Sequence, residues 1–166
     1  TAVCGGILGM SLYSIPPLIS GIAILGLGVF VFINNKHARL NRVFVFMCLS
    51  IFIWLVGYAT VFSMKHKDTA LFWARVSYLG VIFIPVTVHH ISTLFLELQT
   101  RENEKLIRLS YIFAFVFVII SWTPYFFNDM YSYFWGYYPK ASILYYPFIA
   151  FFVFYYGRGM LLLYLY

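Results

Sequence analysis

Charge is what this sequence has least of. Asp, Glu, Lys and Arg make up 10% of its 166 residues, against 63% hydrophobic ones, and the mean hydropathy is +0.88. So little polar surface cannot coat a water-soluble globule of this length, which places the chain in lipid. Acids are scarcest. Asp68, Glu97, Glu102, Glu104 and Asp129 all fall in loops or at the ends of apolar runs, so no carboxylate lies deep in a span to serve a proton relay. HExxH, GxSxG and a glycine loop with Lys are all missing, which argues against an enzyme. The two cysteines, Cys4 and Cys48, are far apart with no CxxC or Cys/His cluster near them, so neither a disulfide framework nor a metal site is indicated. His89 and His90 are adjacent but have no third ligand candidate, which speaks against haem or metal, and no cofactor is expected.

What the chain does have is long apolar runs. They predict an all-α, polytopic transmembrane helix bundle in one domain over 1–166, with about five spans at 15–33, 43–64, 70–96, 109–127 and 141–166. Continuous apolarity without period-two alternation favours helices over barrel strands. The chain begins without Met and ends on an apolar run with no polar cap, so it reads as a fragment of a longer protein. Residues 1–13 carry no positive leader and do not read as a signal peptide.

The formal charge of +6 reports membrane orientation rather than nucleic-acid binding. Lys36, Arg39, Arg42, Arg101, Lys105 and Arg108 lie in the stretches 34–42 and 97–108, whereas 64–69 and 128–140 hold only Lys65, Lys67 and Lys140. By the positive-inside rule the first two stretches face the cytoplasm. The amino terminus and the aromatic loop 128–140 are then outside, and the fifth helix ends inside, where Arg158 could snorkel to the headgroups.

The third run carries ionisable groups within a span, each of which costs roughly 2.5–3.5 kcal/mol on insertion. Arg75, Tyr78, Ile82, Pro85, His89 and Ser92 recur at three and four residues and so share one helical face. Pro85 frees the carbonyl of Val81 and favours a kink. Such a face either meets a ligand, ion or proton inside the bundle or merely hydrogen-bonds neighbouring helices. His89 and His90, about 100° apart, cannot both point inward. Ser50, Trp54 and Gly57 put small or polar groups on one face of the second helix, a packing pattern that lets another backbone approach. The aromatics of loop 128–140, Trp135 and Tyr137 among them, suit either a ligand lid or an interfacial belt.

Asn41-Arg-Val-Phe-Val-Phe46, Trp54-Leu-Val-Gly57-Tyr58, Phe72-Trp-Ala-Arg-Val-Ser-Tyr-Leu-Gly80, Pro85, His90 to Phe95 and the loop Gly136-Tyr-Tyr-Pro139 resemble the amino-terminal seven-helix sensor region of bacterial histidine kinases and related signalling proteins. The resemblance covers roughly residues 35–166. The sixth and seventh helices that the family implies, and any kinase or cyclase output domain, are not in the sequence. The resemblance implies a non-catalytic sensory input module of a two-component or related system in the bacterial inner membrane. Arg75 and Tyr78 would line the outer part of a cavity, Pro85 would flex, and His89 would lie deeper. Expected partners are the bilayer, a small or amphipathic ligand, and other membrane subunits or a second copy. The alternative is an accessory or scaffold subunit of a larger membrane complex.

Overall fold

The computed structural model describes residues 11–166, and Cys4 lies outside them. Five helices follow one another up and down: α1 (Ile15–Asn34), α2 (Arg39–Ser63), α3 (Lys67–Phe95), α4 (Arg101–Ser121) and α5 (Tyr145–Leu165). A two-stranded antiparallel hairpin, β1 (Phe127–Tyr133) and β2 (Gly136–Ala141), separates α4 from α5. A short 3-10 turn, Leu12–Ser14, precedes α1, and Ser14 Oγ and Ser63 Oγ meet at 2.6 Å to pin the start of α1 to the end of α2. The bundle thus has a hairpin end and an opposite, basic end that carries the α1–α2 and α3–α4 connections.

Four of the five helices are long and apolar enough to cross a membrane. The exception is α4, whose first two turns hold Arg101, Glu102, Glu104, Lys105 and Arg108. Its apolar remainder, Leu109–Ser121, is only about 20 Å long at ~1.5 Å per residue. The fourth span, expected at 109–127, is therefore displaced: the helix starts within the charged stretch and stops at Ser121. The reason is local. Thr100 Oγ1 accepts from the Asn103 amide as an N-cap, Glu102 and Glu104 sit in the positive first turn, and Glu104 pairs with Arg108 at 3.6 Å. The connection between α3 and α4 shrinks to a few residues. Glu97 closes α3 in the left-handed region (φ 54°), and the Leu98 amide bonds back to the Thr93 carbonyl at 3.0 Å.

α3 is the hub of the bundle and packs against α2, α4, α5 and the hairpin. Against α2 the approach is backbone to side chain. A Cβ on Gly57 would collide with Ser77, coming within 2.7 Å of its Cα, and one on Gly80 would strike the Ser50 carbonyl and lie 2.8 Å from the Trp54 amide. On the other side of α3, Ile82 and Val86 join Phe117 of α4, Phe148 and Phe151 of α5, and Phe126 and Phe127 in an aromatic core. Phe126 and Phe127, expected in the fourth span, leave the helix and fold under the hairpin as part of that core, both almost wholly buried.

Candidate functional site

The polar stripe of α3 faces protein along its length. Tyr78, Ile82, Pro85, His89 and Ser92 are buried and Arg75 is half-buried. Helical spacing carries the stripe from the hairpin end towards the basic end, and it meets different partners at each. α3 runs unbroken through Pro85, with Thr87 Oγ1 donating within 2.9 Å of the Phe83 and Ile84 carbonyls one turn away.

At the hairpin end, Arg75 reaches the point where the chain enters β1. Its Nη2 donates to the Phe127 carbonyl at 3.3 Å, while its Nε is buried without a partner. Among the described residues no carboxylate lies within 4.0 Å of it. Tyr78, one turn on, packs its ring edge-on to Phe127 (4.6 Å between centroids) and shares a hydrogen bond with Tyr145 of α5, 3.1 Å between hydroxyls. Phe127 therefore serves both residues, by its carbonyl and by its ring.

Trp135 and Tyr137 are held elsewhere on the hairpin. Trp135 stacks on Tyr133 at 5.0 Å and meets Phe62 of α2 edge-on, and the Tyr137 hydroxyl donates to the Lys65 carbonyl at 3.2 Å. Gly136 makes the tight turn possible. Its φ of +141° is unfavourable for a residue with a Cβ, and the position presses on Phe62. A salt bridge between Lys67 and Asp129 at 2.7 Å ties the start of α3 to β1. The hydrogen bond from Lys67 holds the Asp129 carboxyl below its ordinary value of 3.8. The residues singled out from the sequence thus fall into two groups here: Arg75 with Tyr78 beneath β1, and Trp135 with Tyr137 braced on the end of α2 and the connection that follows it.

At the basic end His89 is fully buried, next to a residue that sequence reasoning assigned to the lipid surface. Arg158 does not snorkel outward; it turns into the bundle. Its Nε donates to His89 Nε2 at 3.2 Å and its Nη2 to Asn103 Oδ1 at 2.9 Å. Asn103 in turn donates to the Leu98 carbonyl at 2.8 Å. One guanidinium thus joins α5, α3 and the start of α4. Because His89 Nε2 accepts, Nδ1 carries the ring proton, and it is buried without a partner. Gly157-Arg158-Gly159 does not break α5. Gly159 lets it lie close to α3, where a Cβ would stand 3.1 Å from the His89 Cα. His90 points the other way, to the Tyr111 hydroxyl at 3.2 Å. No group of three or more His, Cys, Asp or Glu side chains is placed to hold a metal ion among the described residues.

An apolar up-and-down bundle, hubbed on one polar-striped helix and topped by an aromatic hairpin, defines a multi-pass membrane domain. The chain belongs to the family described as the N-terminal 7TM region of histidine kinase, whose model matches residues 16–166. No curated protein matches it, and no solved structure does.

Proposed function

We propose that this chain is the membrane-embedded, non-catalytic sensory input module of a bacterial signalling protein, and that its stimulus acts at the hairpin end through Arg75 and Tyr78. Family membership supports the general role. The observation that carries the site is the state of Arg75: a half-buried cation with no carboxylate partner among the described residues and an unpaired, buried Nε. A guanidinium has five donors in a planar fork, and a desolvated one with donors to spare attracts an anionic or amphipathic molecule strongly.

The route inward would be α3 itself. Arg75 and His89 lie on the same continuous helix, so a shift of α3 at the hairpin end reaches the Arg158 junction with α4 and α5 at the other. In this reading the hairpin faces outward, as the Lys and Arg distribution suggests, and α5 carries the displacement towards the cytoplasm.

In the full-length protein, Arg75→Ala should abolish most of the stimulus-dependent output while expression and membrane insertion stay unchanged, and Arg75→Lys should restore part of it. A response that survives both Arg75→Ala and replacement of Trp135 and Tyr137 by Leu would rule the site out.

A further inference from the structure

We propose a second binding site, at the basic end, for the phosphate of an anionic phospholipid. Between the starts of α2 and α4, with the end of α3 as its floor, lies a cleft of about 90 Å³ lined by Arg39, His90, Glu104 and Arg108 among others. Arg39 also borders a wider recess of about 280 Å³, which continues past Arg42 to Phe46 and Tyr111. His90, which lines the cleft, shares a hydrogen bond with Tyr111, which lines the recess.

Charge favours an anion. Arg42 lines the adjoining recess, and Arg39 and Arg108 line the cleft with a single acid, Glu104. That acid stands 3.6 Å from Arg108 in a pair whose side chains are 78% and 43% exposed, which leaves it loosely engaged. Neither Arg39 nor Arg42 has a carboxylate within 4.0 Å among the described residues. Ala38, the residue that caps α2, gives no side-chain acceptor to the first-turn amides, so the positive end of that helix dipole adds to the same field.

Shape and depth favour a lipid over a soluble anion. Arg39 and Arg42 begin a spanning helix, where headgroups lie, and Arg108 closes the charged first turns of α4. Below them the groove turns apolar: Phe83 on the α3 floor touches Phe46 of α2 at 5.2 Å and Phe115 of α4 at 5.6 Å between ring centroids. A phosphate held by Arg39, Arg42 and Arg108 would lay its acyl chain along these rings. Basic pockets between transmembrane helices on the side facing the anionic leaflet hold headgroups in this way. The short apolar length of α4 sets its charged turns at the same level. This site is independent of where the signal enters.

Native mass spectrometry of the full-length protein, released from detergent, tests the proposal with phosphatidylglycerol, phosphatidylethanolamine and inorganic phosphate as probes. Phosphatidylglycerol should be retained and the other two lost. Arg39→Gln with Arg42→Gln should weaken retention by about 25-fold, at roughly fivefold per cation removed. Lys36→Gln with Lys105→Gln, cations at the same end but outside the cleft, should change it less than twofold. Circular dichroism and gel filtration show whether each variant is folded. Should the double arginine variant misfold, Arg108→Gln alone must still give a fivefold loss. Equal losses in both double variants would mean diffuse surface attraction and overturn the site. Retention of inorganic phosphate without lipid would replace the lipid by a soluble anion, and no retention of phosphatidylglycerol, as when another helix fills the groove, would also overturn it.

Discussion

Each end of the bundle has an arginine at the polar stripe of α3, Arg75 within the stripe and Arg158 of α5 docked against it, and the two are used differently. Arg158 is satisfied by side chains: His89 and Asn103 take two of its donors and bind three helices into one junction. Arg75 has a single backbone carbonyl, at a long 3.3 Å, and an Nε with nothing to bond. The same residue type, at opposite ends of one polar stripe, is a fastener in one place and an unfilled donor in the other. Spare hydrogen-bonding capacity, rather than the presence of a charge, distinguishes a position that can receive a ligand from one that holds the fold together.

Stability measurements should separate the two most clearly. Arg158→Ala leaves Asn103 Oδ1 and His89 Nε2 without their donor in a buried junction and should cost about 1–3 kcal/mol. Arg75→Ala gives up one long bond and removes an orphaned Nε, so it should cost less than about 1 kcal/mol. Reversible unfolding in mixed micelles measures both, and equal costs would erase the distinction. A double-mutant cycle between Arg158→Ala and Asn103→Ala should show a coupling of at least about 0.6 kcal/mol, the average for polar contacts between membrane helices, whereas Arg75→Ala with Asn103→Ala should be additive.

The smallest effect concerns pH at the hairpin. The Asp129 carboxyl is held below 3.8 by Lys67, so its folded value is depressed relative to the unfolded chain. Its contribution is then complete above the ordinary carboxylate value and is lost as pH falls through the depressed one. Trp135 fluorescence should be flat from neutral pH down to about 5 and change only in strongly acidic solution, as expected for carboxylate linkage. Asp129→Asn should remove that acid step. A transition near neutrality that persists in Asp129→Asn would point to another group.

Much of this was legible in the sequence, and the exceptions have physical causes. Apolar runs located five helices because lipid demands them, and the three-four spacing from Arg75 to Ser92 gave the buried face of α3 because a helix has one period. The start of α4 was also written in the sequence, in Thr100 followed by Asn103 and two first-turn acids, but a dense run of charges looked like a loop. The hairpin was hidden: its two-residue connection, Phe134-Trp135, lacks the usual Asn-Gly signal, and an irregularity between Phe127 and Asp129 breaks the alternation. Only Gly136, with its positive φ, marked the turn. The inward path of Arg158 could not be read at all. Its partners are 69 and 55 residues away in the chain, and only the close approach of α5 at Gly159 brings them together.

The proposal that the hairpin receives and the basic end transmits requires them to be on opposite sides of the membrane, and side-specific labelling tests that directly. In a background with Cys4→Ser and Cys48→Ala, Ser132→Cys on the hairpin and Glu102→Cys at the start of α4 place single exposed thiols at the two ends. A membrane-impermeant maleimide applied to intact cells should label Ser132→Cys and spare Glu102→Cys until the cells are opened. Labelling of Glu102→Cys in intact cells, with Ser132→Cys protected, would turn the molecule over and contradict an outward-facing input at Arg75.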